Sequence, residues 1–125
     1  MTEDEYNKIT ERIINCAFIV SNTLGVGFLE KVYENAMFIE LQKANLDTKQ
    51  QFPIKIYYEN ICVGDYYADL LVNDEIIIEL KTVKAIEEIH IAQLLNYLKA
   101  TNKKVGLILN FAKPKVEIKR MVNKL

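Results

Sequence analysis

The sequence is poor in the residues and segments that build disulfide scaffolds and membrane spans. Its 125 residues include only two cysteines, two prolines, four glycines and one histidine. Cys16 and Cys62 stand alone, without CxxC spacing, and we expect both to be small buried hydrophobic residues. No stretch approaches the roughly 20 apolar residues that a membrane-spanning helix needs. We therefore expect neither a disulfide-stapled fold nor a membrane protein.

The N-terminus lacks the features of a secretion signal. "MTEDEYNKI" is acidic rather than basic, whereas a signal peptide starts with positive charge and continues into an apolar segment. We therefore expect a cytoplasmic protein. Half of the residues are hydrophobic, and the length suits one compact domain. We predict a single domain over residues 1–125.

The chain has little net charge, but its charged residues are unevenly distributed. The net charge is −1, yet residues 82–125 carry nine basic and three acidic side chains. The basic side chains of this part include Lys99, Lys103, Lys104, Lys113, Lys115, Lys119, Arg120 and Lys124. They could meet phosphate groups if the fold gathers them on one side, whereas a dispersed set would be an ordinary solvated surface. Charge balance alone leaves both interpretations open.

Apolar residues recur at intervals of three and four in three segments, which predicts three helices. The first runs over residues 3–24, the second over about 29–43, and the third over residues 83–102. The inner stripe of the second helix is predicted to contain Leu29, Val32, Tyr33, Ala36 and Met37. Gly25 and Gly27 are predicted to end the first helix and to allow close packing rather than to cradle a phosphate.

Residues 49–81 are rich in β-branched and aromatic residues with alternating polarity, which predicts strands. Three strands, at about 49–58, 61–72 and 76–81, would form an antiparallel meander. "KVGLILNFA" predicts a strand buried on both faces, and "VEIKRMV" fits either a last strand or a short helix. The order predicts an α/β (α+β) fold in which helices flank a mixed β-sheet.

In the hairpin "ADLLVNDEIIIELK" of residues 68–81, three charged residues, Asp69, Glu79 and Lys81, interrupt the otherwise hydrophobic strands. Glu79 and Lys81 alternate along one strand, so they point the same way and lie about 7 Å apart. A two-residue turn would place Asp69 opposite Ile78, whereas a three-residue turn places it opposite Glu79. The longer turn also sorts the apolar residues onto one face and the carboxylates onto the other, and we therefore predict it.

The predicted pair of carboxylates, Asp69 and Glu79, is unfavourable without a cation. Two carboxylates this close repel each other and are costly to desolvate. Mg²⁺ takes oxygen ligands and keeps several waters, so two or three carboxylates suffice to bind it. Lys81 could then contact a scissile phosphate or help to deprotonate an attacking water. The simpler alternative is a salt bridge between Lys81 and one carboxylate on a solvated sheet face, and the spacing leaves both open.

These residues resemble the D…(D/E)xK signature of the PD-(D/E)xK nuclease superfamily, through Asp69 and the "ELK" of residues 79–81. Ala68 stands at the proline of that name, a position that varies widely in the superfamily. "GFLEKVY" is similar to the motif of the GxxExxY protein family, and "QLLNY" resembles the QxxxY motif of RecB-like members. With "LILNF" near the C-terminus, the resemblance covers nearly the whole chain. It implies a restriction-endonuclease-like core.

The resemblance also implies a metal site. Asp69 and Glu79 would hold Mg²⁺ or Mn²⁺. Glu30, from the GxxExxY motif, would complete the metal shell directly or through water. Glu34, one helical turn later, is the alternative third ligand. Tyr33 of the same motif is a core aromatic or a site contact.

Three further residues receive roles from the resemblance. Lys81 would be the catalytic lysine. Gln93 and Tyr97 lie one helical turn apart and therefore on one face, where they would position Lys81, the metal-bound water or the substrate phosphate. His90, three residues before Gln93, is expected to be a surface residue or to act indirectly.

The function that follows is a metal-dependent nuclease, a hydrolase of phosphodiester bonds in DNA, or as second choice RNA, by in-line attack of activated water. No DNA-binding module is appended, so we expect a homodimer or a partner protein to contribute. The alternative is a catalytically silent nucleic-acid-binding or protein-interaction module on a nuclease fold, and a third candidate is a nuclease that a partner switches on. A silent relic would be expected to have lost Lys81 or a carboxylate, and all are present.

Overall fold

The computed structural model describes residues 1–125. Five strands form one sheet, and three helices flank it. The elements are α1 (Glu3–Leu24), α2 (Glu30–Lys43), β1 (Thr48–Tyr58), β2 (Ile61–Val72), β3 (Ile76–Lys81), α3 (Glu88–Thr101), β4 (Val105–Asn110) and β5 (Glu117–Val122). The strand order is β1-β2-β3-β4-β5. Only β3 and β4 pair in parallel, and α3 provides the crossover that such a pair needs. The predicted mixed sheet with an antiparallel three-stranded meander and flanking helices is confirmed.

Helix α1 has clear start and stop signals. Thr2 Oγ1 accepts a hydrogen bond from Glu5 N, and Glu5 Oε1 accepts one from Thr2 N, which together form a capping box. Acidic residues in the first turn interact favourably with the helix dipole. The helix ends as predicted at Gly25, whose φ of 69° suits glycine.

Helices α1 and α2 cover one face of the sheet over a cluster of 19 buried residues. Tyr33 lies in this cluster: its ring stacks on Phe111 with centroids 4.7 Å apart, and its hydroxyl donates to Gly25 O at 2.6 Å. Tyr33 is therefore a core residue that fixes the connection between the two helices. The predicted inner stripe is wrong for Leu29 and Val32, which are exposed, because α2 turns its Tyr33, Met37 and Leu41 side towards the core.

Helix α3 covers the opposite face of the sheet over a second, smaller cluster. Its members are Ile54, Ala68, Leu71, Ile77, Leu94, Tyr97, Leu98 and Ile108. The helix begins at Glu88, later than predicted. The preceding segment is instead tied to β4, because Asn110 Oδ1 accepts from Val83 N and Asn110 Nδ2 donates to Val83 O.

The hairpin of β2 and β3 has the predicted register. Leu70 pairs with Ile78 and Val72 with Ile76, which leaves residues 73–75 as a three-residue turn. The prediction that the apolar residues occupy one face alone is wrong, since residues of this hairpin such as Leu71 are also buried beneath α3. The crossover helix of a parallel pair must pack on a sheet face, and here it covers the face that carries the charges.

Strand β5 resolves the open alternative for "VEIKRMV" and shows how the basic residues are distributed. Lys119 and Arg120 are neighbours on this strand and therefore point to opposite faces. Lys113 forms a salt bridge with Glu117 at 3.7 Å. Lys115 lies over the ring of Phe18 on α1, whereas Lys99 lies on α3 at the opposite face, so the fold disperses the basic residues instead of gathering them on one side.

Most side chains in the outer parts of β1 and β2, on either side of their turn, are exposed. Cys62 lies there and is exposed, so the prediction of a buried residue is wrong for it, whereas Cys16 is buried as expected. None of the three helices combines the length and apolar character required to cross a bilayer.

Candidate active site

The predicted charged residues meet where β2 and β3 separate. Pairing between these strands ends at Leu70 and Ile78, while β2 continues alongside β1 and β3 alongside β4. At this fork Asp69 Oδ2 accepts a hydrogen bond from Leu80 N at 2.8 Å. Where the backbone hydrogen bonds between β2 and β3 end, this side-chain hydrogen bond holds the carboxylate of Asp69 beside β3.

Glu79 lies next to Asp69 and is almost completely buried, at 6% exposure. Its Oε1 atom has no hydrogen-bond partner. Burial first, and then the charge of Asp69, raise the pKa of Glu79 to about 9, although Lys81 opposes this shift. Without a bound cation, the two carboxyl groups therefore retain a proton between them at neutral pH.

Lys81 follows on the same face of β3 and is half-buried. None of the five salt bridges in the protein involves it. The simple alternative of an ion pair on a solvated face is therefore not observed. The backbone is held firmly at this point, since Lys81 O accepts a hydrogen bond from Phe111 N at 2.9 Å and Lys81 pairs with Asn110. Its ammonium group is available for a ligand.

Helix α3 contributes Gln93 and Tyr97 to the same face. Gln93 Nε2 donates to Tyr97 Oη at 3.1 Å. Burial and then the charge of Glu79 raise the pKa of Tyr97 to about 12, so its hydroxyl stays protonated. His90 has a separate role at the start of the helix, where its Nδ1 accepts from Glu87 N at 2.9 Å.

The two candidate glutamates of α2 have different surroundings. Glu30 is exposed, and no three acidic, histidine or cysteine side chains form a group that could hold a metal ion. The structure therefore does not bring Glu30 to Asp69 and Glu79. Glu34 is buried, and its Oε1 accepts a hydrogen bond from Gln51 Nε2 at 2.8 Å.

Gln51 was not singled out in the sequence. On β1, its neighbours Gln50 and Phe52 pair with Leu70 and Ala68 of β2. Gln51 therefore lies at the β1 position across from Asp69. Gln51 has a φ of 53°, which is unfavourable for a residue with a side chain and is found more often at functional sites. It therefore connects Glu34 to the strand position across from Asp69. Its only sequence signal was a pair of glutamines at the start of an aromatic and β-branched strand.

Asn110 is a second residue whose role the sequence did not reveal. It is fully buried, and both ends of its amide bond the backbone of Val83, two residues after Lys81. It therefore fixes the path of the chain as it leaves the site. A polar residue at the end of the apolar run "LILN" was the available signal.

Comparisons with known proteins concern the family and the fold of the chain. A family model described as the PD-(D/E)XK nuclease superfamily matches residues 7–121. No match was found among curated proteins.

Two solved structures share the fold. SSO0001 has a TM-score of 0.54 and 19% identity over 76% of this chain and 50% of that one, so this chain spans about half its length. LHK-Exo, solved in complex with dAMP, has a TM-score of 0.54 and 10% identity over 92% of this chain and 83% of that one. At these identities the likeness concerns the fold alone.

Proposed function

Since the chain belongs to the PD-(D/E)XK nuclease superfamily, we propose that it is a divalent-metal-dependent nuclease that hydrolyses phosphodiester bonds of DNA, or as second choice RNA. One observation carries the proposal. Glu79 has a buried, unpartnered carboxylate oxygen beside Asp69, with Lys81 unpaired on the same strand. Burying such a pair without a cation costs stability. A site that binds a cation accounts for this cost, whereas a purely structural role does not.

The ligands present fit a divalent cation. Asp69 and Glu79 would hold it, and Glu79 Oε1 is the oxygen that lacks a partner in the protein. Mg²⁺ often uses one or two carboxylates and keeps several waters, so the pair suffices without Glu30. We therefore propose Mg²⁺ or Mn²⁺. When bound, such an ion acts as a Lewis acid and lowers the pKa of water.

Lys81 and the α3 residues would act on the phosphate. The backbone of Lys81 is held at the end of β3, and its ammonium would stabilise the negative charge that builds up on the phosphate oxygens in the transition state. Gln93 Nε2 already donates to the oxygen of Tyr97. The hydroxyl proton of Tyr97 is thereby left to donate elsewhere, and it is retained because the pKa of Tyr97 is about 12.

The second candidate function is a catalytically silent module on the same fold. It predicts nucleic-acid or protein binding without metal-dependent turnover. The joint presence of Asp69, Glu79 and Lys81 on one face favours catalysis, because binding alone does not require all three side chains. A partner protein or a homodimer would supply the nucleic-acid contacts that the dispersed basic residues do not concentrate.

The test is cleavage of single-stranded, duplex and branched DNA and of RNA with Mg²⁺, Mn²⁺ or EDTA. We expect at least one substrate to be cleaved with metal and none with EDTA. Lys81→Ala should lower the rate by about 100-fold or more. The matched control is Lys84→Ala, which removes an exposed lysine from the following loop and should leave the rate unchanged. Equal activity of wild type and Lys81→Ala on every substrate would overturn the proposal.

A further inference from the structure

A groove lies between α3 and the outer part of the β1–β2 hairpin, next to the active site. Its volume is about 750 Å³, within the range of roughly 300–1,000 Å³ found for ligand sites. Gln93 and Tyr97 line the groove as well as the active site. On the hairpin side the ring of Tyr66 lies 5.7 Å from that of Tyr97. The groove therefore continues directly from the site where a phosphate would bind.

The groove leaves flat and apolar side chains partly exposed to solvent. Tyr66 is 47% exposed, and Val63 and Ile89 at the edges are more exposed still. The amides of Gln93 and Asn96 offer donors and acceptors one helical turn apart. Such walls suit a planar ring with polar edges.

The charges of the groove suit an anionic ligand. Its lining includes Lys99 but no aspartate or glutamate. A nucleobase attached to a phosphodiester backbone combines the planar ring, polar edges and negative charge that the groove would accept.

Gly64 keeps the floor of the groove open. A Cβ atom at this position would lie 3.2 Å from Tyr66 Cε2 and 3.6 Å from Ile56 Cβ. A side chain would therefore crowd the Tyr66 ring. Glycine within a strand often marks a point where another molecule approaches closely.

We propose that this groove binds an unpaired nucleobase next to the scissile phosphate, so that the substrate is single-stranded where it meets the site. This inference rests on the proposed nuclease function and specifies its substrate class. The bases of a duplex are stacked and paired, so they cannot present a free face to Tyr66. A single strand can place a base on the ring with little regard to sequence.

The first test measures binding apart from cleavage. Fluorescent phosphorothioate oligonucleotides, which resist hydrolysis, are titrated in Mg²⁺ as a single strand and as a duplex of the same sequence. Wild type should bind the single strand more tightly. Tyr66→Ala should weaken that binding by about 10-fold, and Tyr66→Phe should restore it. The matched control is Tyr67→Ala: Tyr67 is 58% exposed, points to the other face of β2 and lies outside the groove.

A second variant and a modified oligonucleotide guard against a folding defect in Tyr66→Ala. Asn96→Asp puts a negative charge on an exposed position of α3 and should also weaken single-strand binding. An oligonucleotide with abasic sites should bind wild type about 10-fold less tightly than the intact strand. The same abasic change should have little effect on Tyr66→Ala, because the stacking partner is already absent.

The outcomes separate this inference from the nuclease proposal. The groove proposal is overturned if wild type prefers the duplex or if abasic sites do not change the affinity of wild type. It is also overturned if Tyr66→Ala and Tyr67→Ala bind the single strand with equal affinity. In those cases a protein segment becomes the better candidate for the groove. Lys81-dependent cleavage of single and double strands that is unchanged in Tyr66→Ala would overturn the groove alone. Absence of Lys81-dependent cleavage would overturn the nuclease proposal, and the binding results would still stand.

Discussion

Helices α1 and α2 cover one face of the sheet with a cluster of 19 buried residues, whereas α3 covers the other with a cluster of eight. On the first face the buried hydroxyl of Tyr33 has its hydrogen bonds, to Gly25 O and from Phe28 N. On the second, the sheet opens at a fork where Glu79 Oε1 is buried without a partner. Burying this unpartnered carboxylate costs stability, and we propose that the α3 face bears that cost because it holds the metal site.

Damage to the α1 and α2 face should have the largest effect on stability. Tyr33→Ala should destabilise the protein by about 3–5 kcal/mol, because it removes a buried aromatic ring that stacks on Phe111. Chemical denaturation measures the change, and Tyr57→Ala at an exposed position is the control. The folded fraction should keep its metal affinity. Loss of metal affinity at full folding would show that this face also shapes the site.

The second change damages only the α3 face. Asp69→Asn keeps an oxygen that can accept the hydrogen bond from Leu80 N but removes the charge. We expect nuclease activity to fall by about 100-fold or more, without a loss in melting temperature, because the repulsion between Asp69 and Glu79 is removed. Asp65→Asn, at an exposed position of the same strand, is the matched control and should stay active. A large loss of stability in Asp69→Asn together with normal activity would reverse the assignment of the two faces.

The third change tests whether the site lowers stability. The pKa of Glu79 is about 9 in the folded protein and 4.5 ordinarily. The contribution of protonated Glu79 to the stability of the folded protein is therefore complete below about pH 4.5. It is lost as the pH rises towards 9. In EDTA, Glu79→Gln should melt above wild type at pH 8, by about 3 °C or more, and the difference should shrink at pH 5. A variant that melts lower than wild type at pH 8 would mean that the buried carboxylate carries no penalty.

We expect the smallest effect from a change at the start of α1. Thr2→Ala removes the acceptor for Glu5 N at the start of α1 and should cost about 1 kcal/mol of stability. Thr23→Ala in the last turn of the helix is the control. Urea unfolding measures both, and neither should alter cleavage. A change in cleavage by Thr2→Ala would couple this helix to the site.

Local patterns in the sequence predicted much of the fold. Alternation along residues 68–81 predicted the three-residue turn, because a one-residue slip would have exchanged the faces of every side chain. The same alternation brought Asp69 and Glu79 together. The helical spacing of Gln93 and Tyr97 correctly indicated that their side chains meet.

Long-range contacts explain the parts of the fold and of the candidate site that the sequence did not predict. The late start of α3 follows from the bonds between Asn110 and Val83, which are 27 residues apart in sequence. The burial of Glu34 in place of Glu30 depends on how α2 lies against β1, where Gln51 adopts a positive φ. Neither contact leaves a periodic pattern. The roles of Glu30 and of the GxxExxY motif stay predictions.

The central claim, that Asp69 and Glu79 form a divalent metal site, is tested most directly by calorimetric titration of Mn²⁺ at pH 7.5 in two buffers of different ionisation heat. Because the pKa of Glu79 is about 9 without metal, binding should release about one proton, which the two buffers reveal. Glu79→Gln should bind at least about 10-fold more weakly and release none. Equal Mn²⁺ binding by wild type and Glu79→Gln, or no binding by either, would contradict the account.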